Sequence, residues 1–135
     1  MKKDGFAIRL LEWFEREKRA LPWRKTADPY AIWVSEVVLQ QTRVKQGIAY
    51  YERFIENFPD VGSLALSDSN HLMRVWEGLG YYSRARNMQS AARQIMEEFS
   101  GSVPDRYDQL LRLKGVGRYT AAAIASIAFN RPHAV

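Results

Sequence analysis

Apolar residues recur along this chain at helical spacing, and almost nowhere alternate. Phe6, Leu10, Trp13 and Phe14 line one face of a first helix, with Asp4 placed to cap it. The charge run Glu15 to Arg19 reads as the solvated end of that helix, and Ala20 to Pro29 as a loop broken by Pro22 and Pro29. Asp28-Pro29 is a helix start, a capping carboxylate followed by a proline at the first helical position. From Tyr30 to Gln41 the segment is apolar nearly all round, which predicts a helix buried on most faces. Val44 to Phe58 is amphipathic instead: Ile48, Tyr51 and Ile55 form a stripe opposite Lys45, Glu52, Arg53 and Glu56, and Pro59 stops it.

Beyond Pro59 the elements are shorter. Leu64 to Leu66 suggests a short helix, and the cap-rich Ser67-Asp68-Ser69-Asn70 opens another over Leu72 to Glu77, ended by Gly78. Ser83 to Phe99 is a long amphipathic helix with Met88, Ala91, Ala92, Ile95 and Phe99 inward. Ser100-Gly101 and Pro104 break the chain. Then Tyr107 to Leu113 runs into the turn Gly115-Val116-Gly117, followed by a small-residue helix from Ala121 to Ala125. No strand pair and no repeat stands out, so the expected class is all-α, with short connections.

Composition narrows the function classes. The 135 residues are 47% hydrophobic and 13% aromatic, a globular make-up rather than a disordered one. A formal net charge of +5 suits a polyanionic partner. Without cysteine there is neither a disulfide framework nor a thiolate metal site. No apolar run has membrane-spanning length, and Lys2 and Lys3 do not precede a signal-peptide core, so a soluble, cytoplasmic monomer is the expectation.

Two stretches carry candidate chemistry. In Gly115-Val116-Gly117 the glycines supply positive φ or close backbone approach, Val116 can plug into apolar surface, and the following helix start bares N–H groups to an anion. The arrangement resembles a helix-hairpin-helix, a grip on one DNA phosphate, although a plain helix-helix turn has the same pattern. A dinucleotide-binding turn fits worse, because no β-rich run precedes the glycines. Glu36 is the only charge between Tyr30 and Gln41, and it shares a helical face with Ile32 and Leu39. Apolar surroundings disfavour its ionised form, which suits a general acid at neutral pH; a structural carboxylate paired with an arginine fits the same pattern.

Taken together, Leu21-Pro22-Trp23-Arg24, the block Ser35-Glu36-Val37-Val38-Leu39-Gln40-Gln41-Thr42, the block Trp76 to Asn87 (WEGLGYYSRARN) and the hairpin resemble the A/G-specific adenine DNA glycosylases of the helix-hairpin-helix superfamily. The resemblance runs from Leu10 onward. It implies a helical barrel over 25–135 with the hairpin at about 107–128, and a segment 1–24 that packs on an iron–sulfur domain. The implied partner is double-stranded DNA bearing adenine opposite 8-oxoguanine or guanine, at the nucleoid in a bacterium. The implied reaction is flipping of the adenine and hydrolysis of its glycosidic bond. Glu36 would protonate the base and then help activate water; Arg19, Trp23, Arg24, Leu39 and Tyr119 would line or support the base pocket. Gln41, Leu79 and Tyr81 would wedge into or contact the strand, with Gly115, Val116, Gly117 and Arg118 on phosphate. The alternatives are core packing for Trp23, Leu79 and Tyr82 and a cap for Gln41, while Gly78 and Gly80 around Leu79 suggest an exposed loop tip and favour the wedge.

The family's catalytic aspartate, in a V-D-G-N segment, its 4Fe–4S cysteines and its 8-oxoguanine-reading domain would follow Val135, so the resemblance implies a piece that is inactive alone and holds no cofactor. Two alternatives stay open: an endonuclease III-like glycosylase/lyase, against which Tyr119 stands where lyases carry lysine, and a non-catalytic DNA-binding module of the same fold.

Overall fold

Asp28 opens the first helix, α1 (Pro29–Leu39), as the residue pattern requires: its carboxylate accepts the Tyr30 N–H at 3.0 Å, and Pro29 sits where no N–H is needed. The computed structural model describes residues 28–40 and 44–129; the expected N-terminal helix and the segment 1–24 lie outside them. All ten residues from Tyr30 to Leu39 are buried, so α1 is the axis around which the rest is wrapped.

Its wrapping comes from both ends of the chain. α2 (Val44–Asn57) packs along α1 through its apolar stripe, and α7 (Arg118–Phe129) packs on another side. Small residues make the second approach possible: Ala121, Ala122 and Ala125 are all buried where α7 faces the core. Between these come α3 (Val61–Leu66), α4 (Ser69–Trp76), α5 (Tyr82–Glu98) and the single turn α6 (Tyr107–Leu110), and the described residues contain no strand. The all-α expectation holds.

Several ends fall one to three residues from the sequence reading. α3 starts at Val61 because Asp60 and Ser63 form a reciprocal cap, Ser63 N–H to Asp60 Oδ1 at 2.8 Å and Asp60 N–H to Ser63 Oγ at 3.2 Å. α4 starts at Ser69, capped by Asp68. The stretch expected as helix up to Leu113 keeps only one turn of α-helix before it winds into the hairpin.

α5 closes the other side by packing on α3 and α4. Its buried Gln89 donates to Leu64 O at 3.2 Å and Ser67 O at 2.7 Å, satisfying carbonyls at the end of α3. The core is rich in aromatics: Phe54 meets Phe58 and Trp76 at ring-centroid distances of 5.1 and 6.1 Å. The buried Tyr30 hydroxyl donates to Phe58 O at 2.7 Å, tying the start of α1 to the end of α2.

Candidate functional site

Glu36 lies in the last turn but one of α1 and is 1% exposed. Ile32 and Leu39, its neighbours on the helical face, are buried with it. Desolvation pushes its carboxyl up to about 7, and a hydrogen bond from Gln40 opposes that rise. The two oxygens differ. Oε1 accepts from Gln40 Nε2 at 3.3 Å, whereas Oε2 is shielded from solvent and has no hydrogen-bond partner among the described residues. Every other aspartate and glutamate in the described residues is exposed or half-exposed, so Glu36 is the one buried carboxyl there.

Gln40 was passed over in the sequence, yet its position four residues after Glu36 puts both side chains on one helical face. Its amide joins three elements. Nε2 also donates to Thr120 Oγ1 of α7 at 3.4 Å, and Oε1 accepts from Arg84 of α5. A cleft of about 40 Å³ opens beside this junction, lined by Trp33, Val37, Gln40, Arg84, Lys114 and Thr120. It has room for about one water molecule and none for a purine. Tyr119 is half-buried beside Thr120, and its hydroxyl oxygen is shielded from solvent. Arg19, Trp23, Arg24 and Gln41, expected at the base pocket or the strand, lie outside the described residues.

The hairpin follows from its residues with one correction. Val116 is 7% exposed and plugs into the core, and its N–H is spent on Leu113 O at 3.1 Å. Gly115 takes φ +78°, and a Cβ there would lie 2.9 Å from the Asn87 Cβ, so both demands on a glycine apply. Neither applies to Gly117: its φ is not left-handed and nothing lies within 4 Å of an added Cβ. The first intrahelical bond of α7 runs from Ala121 N–H to Gly117 O at 2.9 Å, so the N–H groups ahead of it have no intrahelical acceptor, and Gly117 and Arg118 are both exposed.

The loop between α4 and α5 is held under backbone strain. Gly78, Gly80 and Tyr81 have φ of 98°, 74° and 49°. A side chain at Gly78 would strike the Tyr50 hydroxyl. Trp76 Nε1 donates to Gly80 O at 2.9 Å and Arg53 Nη2 to Val75 O at 2.9 Å, which fixes the loop from below. Of the two expected strand contacts here, Tyr81 is 72% exposed, with Arg84 over its ring at 5.9 Å; Leu79 is half-buried against the core. Arg112, ahead of the hairpin, is engaged with Glu98 at 3.3 Å.

The chain carrying these features is similar to known proteins. The adenine DNA glycosylase of Rattus norvegicus is 47% identical over 136 residues, covering 94% of this chain and 26% of the relative. That of Homo sapiens is 46% identical over 94% of this chain and 25% of its own length. That of Buchnera aphidicola from Acyrthosiphon pisum is 40% identical over 96% of this chain and 37% of its own. The chain thus spans about a quarter to just over a third of these relatives. Among solved structures, a thermostable thymine-DNA glycosylase superposes with a TM-score of 0.74 at 27% identity, over 96% of this chain and 60% of that one. A trapped endonuclease III–DNA covalent intermediate shares the fold, with a TM-score of 0.71 at 24% identity over 96% and 62%. Residues 34–133, which hold Glu36, the strained loop and the hairpin, match the HhH-GPD superfamily base excision DNA repair protein, and the chain belongs to that superfamily.

Proposed function

We propose that the protein of which these residues form part is an adenine DNA glycosylase. It binds double-stranded DNA, flips out adenine mispaired with 8-oxoguanine or guanine, and hydrolyses the glycosidic bond. The observation that carries this reading is Glu36, a carboxyl desolvated on α1, tuned to about 7, with Oε2 unclaimed by the described residues. Protonation at neutral pH makes it a donor to the departing base, and adenine leaves far more readily as a cation-derived neutral base than as an anion. The sugar then develops oxocarbenium character, and the family resemblance assigns its support to a second carboxylate. Similarity to adenine glycosylases at 40–47% identity supports the choice of base.

The N–H groups at the start of α7, beside the exposed Gly117 and Arg118, would seat a phosphate, and Tyr81 would enter the strand near the flipped base. Arg19, Trp23, Arg24, Leu39, Gln41, Leu79 and Tyr119 keep the roles the resemblance implies, and segment 1–24 and the barrel over 25–135 remain the proposed division. A 4Fe–4S cluster is proposed for the whole protein only. The residues present do not fit one: the chain has no cysteine, and the described residues contain no group of three or more candidate ligands. No helix among the described residues is long and apolar enough to cross a membrane.

The test is single-turnover adenine release from an A:8-oxoguanine duplex, using protein expressed from the complete reading frame. Glu36→Gln is expected to lower the rate at least ~10²-fold, the range of a general acid. Full activity in that variant would remove Glu36 from the mechanism.

A further inference from the structure

The Gln40 amide is fully committed in a way that distinguishes the two Glu36 oxygens. One N–H is directed at Glu36 Oε1 and the other at Thr120 Oγ1, while the amide oxygen receives Arg84. This pattern admits one orientation. A flipped amide would set its NH₂ against the Arg84 guanidinium and, whenever Glu36 is ionised, its oxygen against a carboxylate oxygen, repulsive contacts in a part-buried site. Thr120 is 6% exposed and anchored in α7, and Arg84 stands three residues after the exposed Tyr81. The clamp therefore joins the acid to both of the elements that face DNA in the reading above.

We infer that Gln40 is a positioning residue for Glu36: by occupying Oε1 it leaves Oε2 as the oxygen that carries the transferable proton, and Thr120 and Arg84 hold it in that orientation. The inference rests on Glu36 being the general acid. An N–H donor favours a bare lone pair, so a neutral Glu36 keeps its hydrogen on Oε2, the oxygen no described residue occupies. Arg84 polarises the amide and strengthens its donation without touching the carboxyl. Among the described residues, Lys114 is the other charged side chain lining the cleft, and α2 and α7, which pack against α1, carry Tyr51 and Tyr119 among their titratable groups. Arg84 and Lys114 are the two cations lining the cleft.

The experiment measures single-turnover adenine release against pH for the wild-type protein and for Gln40→Met, Thr120→Val and Glu36→Gln, with thermal melts to establish folding. Gln40→Met keeps the volume and removes the donor. The high-pH limb, where Glu36 loses its proton, is expected to move up by about one pH unit, since a hydrogen bond to an ionised group is lost. The plateau is expected to fall about 10-fold as the carboxyl loses its orientation. Thr120→Val should shift the limb in the same direction by less, and it serves if Gln40→Met does not fold. A folded variant with an unchanged limb and plateau overturns the role of Gln40 while an inactive Glu36→Gln leaves the acid in place; an active Glu36→Gln overturns both.

Discussion

Burying Glu36 has a cost in stability that substitution should recover. Its folded carboxyl sits at about 7 against an ordinary 4.5. Below the lower value both the folded and the unfolded chain hold the proton, and the group contributes nothing. Between the two values the unfolded chain ionises while the folded one does not, so stability falls as pH rises. Above the higher value the loss levels off at about 3 kcal/mol, a shift of this size at 1.36 kcal/mol per unit. That is a large share of the 5–15 kcal/mol typical of a domain. Glu36→Gln keeps the shape and can still accept from Gln40, but it cannot ionise. Its stability relative to wild type should therefore climb by about 3 kcal/mol across that window and stay level on either side. Urea unfolding of both proteins over roughly pH 4 to 9 measures this, and titrations elsewhere, such as that of the exposed Asp108, cancel in the difference. An amide N–H without a partner adds a constant offset, so the pH-dependent part is the diagnostic. A difference that is flat with pH would refute the claim that Glu36 is held protonated, and with it the general-acid reading.

The two hairpin glycines should separate fold from binding. Gly115→Ala should destabilise the protein by about 2 kcal/mol, from its left-handed φ and the Asn87 contact, as read by thermal melting. Gly117→Ala should leave the melt unchanged, since its Cβ meets nothing, and weaken duplex binding about equally for all sequences in a fluorescence titration. Borohydride should trap no covalent DNA adduct as a dominant product, because Tyr119 has no amine to form a Schiff base; a dominant adduct would move the protein to the lyase class.

What the sequence made legible was local. Asp28-Pro29 marks a helix start by chemistry confined to neighbouring residues, and the all-round apolar run after it implies burial wherever the helix lies. Glu36 could be singled out for the same reason. The Asp60–Ser63 cap was also local, but serine at the third helical position is a weaker signal than glutamate, and α3 was read short. The clamp on Gln40 was not legible: Arg84 and Thr120 lie 44 and 80 residues away, and nothing near Gln40 names them. Nor could spacing show that Gly115 and Gly117 differ, because the demand on Gly115 comes from Asn87 on another helix. The resemblance supplied roles, and the packing supplies the reasons for some of them.

The burial of α1 between α2 and α7 has a consequence for synthesis. α1 is made early and α7 late, so the acid's environment depends on a contact between segments far apart in sequence. Until α7 leaves the ribosome, the side of α1 that it covers is open. The nascent chain then exposes a nearly uniform apolar surface, a target for chaperones and for aggregation. The burial of Glu36 is consequently completed only when α7 docks, rather than growing with the chain. A ribosome stalled before that helix would carry a polypeptide with Glu36 already translated and the contact that buries it not yet made.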